Sequence, residues 1–153
     1  ILERRGPDCD FVWRLAGTGV CALLGREATG SRVTLGFDAF ETDVVHRFLK
    51  AVTDHLQPCV LKLNLVNETG AKNPVEFIGL PLLAQSGGDI QVLAGMFDFS
   101  EAGTWQVRKL RDITLLGARS IWTEHLPGDR MVKRAEAVAE LRPRLQVLTG
   151  GKK

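Results

Sequence analysis

The sequence predicts an α+β domain: one antiparallel sheet with its helices gathered on a single face. Three observations point there. Segments of strand character come first, helical segments follow, and strands then return through hairpin connections. Residues 74–100 hold two apolar arms of strand length around a turn containing Gly87, Gly88 and Asp89, which is the composition of a β-hairpin. A parallel dinucleotide-binding sheet would need helices alternating with strands and a GxGxxG turn, and the chain has neither.

The hairpin sets the packing problem. Val75, Phe77 and Leu83 share one face of its first arm, and Ile78, Leu80 and Leu82 share the other. Both faces therefore need cover. One is expected against the helices, and the other against the C-terminal part of the chain or a second subunit.

At 153 residues the chain is long enough for one domain with an appendage. The expected division is a domain over residues 1–103 and an extension over 104–153. A hydrophobic content of 44% with 25% charged residues places the chain among globular proteins rather than disordered ones. No apolar run approaches the roughly 18 residues of a membrane-spanning helix. The chain begins at Ile1 rather than Met, so a preceding segment is expected. Net charge is +2 but unevenly spread: up to Gly103 there are 9 Lys or Arg against 13 Asp or Glu, and from Thr104 onward 11 against 5. The basic residues of the extension alternate with acidic and apolar ones and form no nucleic-acid-reading motif, so no nucleic-acid partner is expected.

In chain order, residues 1–5 read as a strand end and residues 6–8 as a turn, with a second strand over 10–17 whose Phe11, Trp13 and Leu15 share a face. Thr18 suits an N-cap and Gly25 a C-cap around a short helix that aligns Val20, Cys21 and Leu24. Asp38 and Glu41 have the spacing of a capping box, and Val44, Val45, Phe48, Leu49, Val52 and Leu56 then recur at helical spacing up to Pro58. Residues 59–67 alternate, with Cys59, Leu61, Leu63 and Leu65 on the buried side of a half-buried strand. Residues 67–70 make the turn into the hairpin, for a count of five strands. Beyond it, residues 111–122 read as extended and residues 131–141 as a helix that Pro143 ends.

Several pieces taken together resemble a known family. Residues 11–18 (FVWRLAGT), 24–30 (LGREATG), 80–82 (LPL) and 93–95 (LAG) stand in the order found in the PAS-like family of small, mostly uncharacterised alphaproteobacterial proteins. The resemblance implies a PAS-like five-stranded antiparallel sheet with a helical face, used for sensing and association, and often enclosing a small-molecule pocket. It implies no particular cofactor, and none is assigned. Members that bind haem often present a histidine from the long helix, which here carries His46 and His55. At 100° per residue His46 points away from the apolar stripe, and His55 lies on its side but in the last turn. The segment around Cys21, GVCALLG, lacks the reactive-cysteine motif of flavin photosensors.

The expected pocket lies between sheet and long helix and is lined by Trp13, Phe48, Val52, His55, Leu63, Phe77 and Met96. The expected association surface comprises Ile78, Leu80 and Leu82 with Trp105, Ile113, Leu115 and Trp122 of the extension. No metal-ligand cluster is apparent. With no GxSxG, HExxH or convergent Cys/His/Asp set, no catalytic residue is assigned and no enzyme is expected. The three cysteines have no paired spacing, and Cys21 and Cys59 sit among apolar neighbours, so they read as reduced, inert thiols and the protein as cytoplasmic. The functional expectation is a non-catalytic sensory or regulatory domain, homodimeric, binding a small apolar molecule or a signalling partner protein. The alternative is a constitutive dimerisation or scaffolding module with a filled core.

Overall fold

The computed structural model describes residues 1–6, 10–83, 88–99 and 110–121. Two compact units divide the chain at Trp122/Thr123, and all described residues fall in the first. Its elements are β1 (Leu2–Arg5), β2 (Asp10–Trp13), α1 (Thr18–Leu24), α2 (Ala39–His55), β3 (Cys59–Asn67), β4 (Lys72–Leu82), β5 (Gln91–Asp98) and β6 (Leu110–Ser120). All strand pairs are antiparallel, in the order β2-β1-β5-β4-β3-β6.

The architecture is α+β, as expected, but the sheet has six strands rather than five. The sixth comes from the extension. Residues 110–120 pair along the whole of β3, from Cys59 opposite Ser120 to Asn67 opposite Leu110. A bulge between Lys62 and Leu63 lets the long strand follow the twist of its neighbour. Two contacts with the region around the start of α2 hold β6 in place: the Ile113 amide donates to the Gly36 carbonyl at 2.9 Å, and the Leu115 amide to the Glu41 carboxylate at 2.8 Å.

Glu41 also accepts from the Asp38 amide, while the Asp38 side chain accepts from the Glu41 amide at 2.7 Å, so the capping box forms as its spacing predicts. The short helix starts differently. Gly17, not Thr18, is its N-cap, and no side chain caps it. Gly25 ends it at φ 64°, a left-handed conformation that glycine adopts without a Cβ clash. β2 stops at Trp13, four residues before the expected end, and Leu15 is 58% exposed. There the N–H of Arg14 and that of Leu15 both donate to the Ile1 carbonyl, drawing the chain out of the strand path.

The core lies between the helices and the inner face of the sheet. Leu2, Phe11, Trp13, Leu24, Leu49, Val52, Cys59, Leu61, Leu65, Val75, Phe77, Val92 and Ile113 are all buried in it. β3 buries Val60 and Val66 on its outer side as well, so it is more than half-buried. Strands flank it on both sides, and Ile78 stands directly opposite Val60. Residues 7 and 8 of the N-terminal turn, Cys9, the tip of the hairpin at 84–87, Trp105, Trp122 and the helix expected over 131–141 lie outside the described residues.

Candidate functional site

A small cavity sits between the inner face of the sheet and the helical layer. Its floor is Leu61, Leu63, Phe77, Met96 and Ile113 from β3, β4, β5 and β6, and Trp13 of β2 stands at one side. Leu24, Val45 and the connection residues Arg26, Val33 and Phe37 form the roof. Every layer of the fold contributes to its wall. The cavity leaves about 20 Å³ for the centre of a water-sized molecule. That is room for about one water, which needs roughly 10–15 Å³ by the same measure.

The connection from α1 to α2 is held on the free side of β2. Gly30 donates to the Trp13 carbonyl at 2.6 Å, Trp13 to the Ser31 carbonyl at 3.0 Å, and Val33 to the Phe11 carbonyl at 2.9 Å. Within this connection the Glu27 carboxylate accepts from the Thr29 amide at 2.9 Å and lies 3.5 Å from the Cys21 sulfur. These hydrogen bonds, the Thr29 amide first, lower its pKa below the usual glutamate value. Arg26 turns the other way: its guanidinium donates to Ser31 Oγ at 2.9 Å, and that hydroxyl donates in turn to the Ala28 carbonyl at 2.6 Å. The segment 24–30 thus uses its acid to shape the loop and leaves its base on the cavity wall.

Of the residues expected to line a pocket, Trp13, Leu63, Phe77 and Met96 lie in this wall. Phe48, Val52 and His55 do not, and the rise of the helix explains why. Val45 stands over the cavity, and at 1.5 Å per residue Val52 and His55 lie roughly 10 and 15 Å further along the axis. Val52 is fully buried in the core, Phe48 is half-buried against it, and His55 is exposed. His46 packs against Phe11 with ring centroids 6.3 Å apart, and its Nε2 is 3.8 Å from Asp10. Arg26 went unnoticed among the pocket residues in the sequence. The available signal was its place directly after the left-handed Gly25, in a segment otherwise occupied with turning the chain.

The expected association surface divides in the same way. Ile78, Leu80 and Leu82 do lie on the outer face, where Leu80 pairs with Leu93 and Glu76 with Phe97. Leu80, Leu93 and Phe97 are 39%, 46% and 52% exposed. Ile113 and Leu115, expected on that same surface, instead face inward: Ile113 is buried in the core and Leu115 packs against it. Their strand joins the sheet edge rather than crossing its outer face, so its apolar residues continue the inner layer.

Two further groups in the inner layer have chemistry of their own. Cys59 is fully buried, and burial pushes its thiol up to about 11. Asn73 is fully buried opposite Leu65, and neither atom of its amide has a hydrogen-bond partner. Among the described residues no cluster of His, Cys, Asp or Glu could hold a metal ion, and no helix is long and apolar enough to cross a membrane.

The family model of the PAS domain matches residues 1–97, well over half of the chain. The chain belongs to that family, one of sensory and regulatory domains. The match ends at β5, one strand short of the sheet's edge strand β6. No curated protein and no solved structure gives a match.

Proposed function

We propose that this PAS domain is a non-catalytic, cytoplasmic sensory or regulatory module with two working surfaces: the cavity on the inner face takes a small apolar molecule, and the outer face of β4 and β5 docks a second copy or a partner protein. The observation that carries this reading is the cavity wall, which among the described residues is apolar but for Arg26 and is drawn from helix, connection and four sheet strands together with β2. With room for about one water, the cavity admits a larger guest only in a conformation where part of the wall has moved. A guest that binds the opened form better shifts the population toward it, and strands that share the cavity floor carry that shift to their outer residues.

A second reading is favoured by the small volume itself. A core this nearly filled also suits a constitutive dimerisation module that senses nothing, with Leu80, Leu93 and Phe97 as its contact surface. Native mass spectrometry of the untreated protein separates the two. A bound small mass, or a dimer whose population changes when a small apolar molecule is added, supports the sensor. A bare dimer insensitive to such molecules supports the scaffold, and a bare monomer at micromolar concentration sinks both.

A further inference from the structure

We infer that the cavity takes an amphipathic monocarboxylate, with an apolar body between sheet and helices and its carboxylate on Arg26; this inference rests on the ligand-binding reading above. Among the described residues Arg26 is the only charged one in the wall and one of its three half-buried members, with Phe37 and Met96. A guanidinium carries five N–H donors, and the bond to Ser31 Oγ occupies one nitrogen of it.

Neither Glu27 nor Glu41 forms an ion pair with Arg26. Glu27, its chain neighbour, accepts from the Thr29 amide and faces Cys21. Glu41, near the start of α2, accepts from the Asp38 amide and, through its other oxygen, from the Leu115 amide. Among the described residues no carboxylate pairs with Arg26. A cation set against apolar surface is costly to desolvate unless a counter-charge accompanies it, and a planar guanidinium matches a carboxylate through two parallel hydrogen bonds. A purely apolar guest would bury Arg26 with the Ser31 hydroxyl but no counter-charge, whereas a carboxylate supplies the missing charge. Because Phe37 and Met96 are also half-buried, the guest's apolar body has side chains beside the cation that can give way, and methionine adapts its shape readily.

Calorimetric titration of the full chain with octanoate, octanol and octylamine tests this, since the three share one body and differ in head group. Octanoate should bind saturably and roughly tenfold to hundredfold tighter than octanol, the range expected for a hydrogen-bonded charge pair, and octylamine should not bind. Arg26→Gln should bring the octanoate-to-octanol ratio to about one with octanol affinity unchanged, and Arg26→Lys should keep a preference for octanoate. If Arg26→Gln does not fold, the three-ligand ranking on the native chain still decides. Octanol and octanoate binding alike would overturn the carboxylate inference while leaving the cavity reading standing. No binding of either up to the solubility limit would overturn the cavity reading and this inference with it.

Discussion

On the inner face of the β4–β5 hairpin, Val75, Phe77 and Val92 are 2%, 3% and 0% exposed; on the outer face, Leu80, Leu93 and Phe97 keep 39%, 46% and 52% of their surface open. The residue types on the two faces are much alike. What differs is the cover: α2 and the connection before it lie over the inner face, and the outer apolar residues remain accessible. Alternation therefore reports which side chains travel together, and the layer above them decides whether they become core or contact surface. The faces should accordingly respond to substitution in different currencies, the inner in stability and the outer in association.

The largest effect is expected from Phe77→Ala, which enlarges the cavity as well as removing buried surface and should cost about 3–5 kcal/mol in denaturant unfolding. A cost under about 1 kcal/mol would mean that the inner face is not packed as described. Next comes pH. With its folded pKa raised by burial to about 11 from the ordinary value of 9.0, Cys59 holds its proton more tightly when folded. Its contribution is complete below pH 9 and is lost as pH rises through 11, by on the order of 3 kcal/mol. Cys59→Ala should flatten that part of the pH–stability curve, and an unchanged slope would assign it to other groups.

Gly79 stands opposite Cys59 on the same face, where an added Cβ would lie 3.0 Å from the Cys59 sulfur and 3.3 Å from Val92. Gly79→Ala should cost about 1–3 kcal/mol by overpacking. Asn73→Leu tests the inner layer in the opposite direction. Replacing an unpartnered buried amide by an apolar side chain of similar size should raise stability by about 1–2 kcal/mol, and a loss would show that the amide is bonded in solution. The smallest stability effect belongs to the outer face. Leu80→Ser with Leu93→Ser should change unfolding by no more than about 0.5 kcal/mol. The same pair should abolish any dimer seen by light scattering, and a dimer that survives it would move the association surface elsewhere.

Local chemistry was legible where its partners were near in sequence. Asp38 and Glu41 are three residues apart, and their capping box formed; the stretch from Cys59 to Asn67 alternated, and it is a strand over those same residues. The αL turn at Gly25 needed nothing beyond its own lack of a Cβ. Thr18 shows the limit of such reasoning, because Gly17 took the N-cap position and left the threonine inside the helix. Ile113 and Leu115 show a different limit. Their extended character was readable, but their destination depended on an edge of β3 some fifty residues earlier in the chain.

The site was half legible for the same reason. Trp13, Leu63, Phe77 and Met96 belong to strand faces that alternation identifies, and they meet at the cavity. Which turn of α2 would lie over them could not be read from a helical stripe, since every turn of an amphipathic helix presents the same face. The register of helix on sheet chose Val45 and passed over Phe48, Val52 and His55. Arg26 was invisible because its role depends on Glu27 being drawn to Thr29 and on the loop being pinned to β2.

By itself, the sequence determined the period of each element, the caps and turns that bound them, and hence an α+β chain with an apolar hairpin, all of which follow from interactions over a few residues. Among the described residues, the tertiary structure alone decided that this hairpin has one covered face and one exposed one, that β6 completes the sheet edge, and that a single arginine borders the cavity. Those outcomes depend on long-range pairing and on which layer reaches which face, quantities that side-chain spacing does not encode.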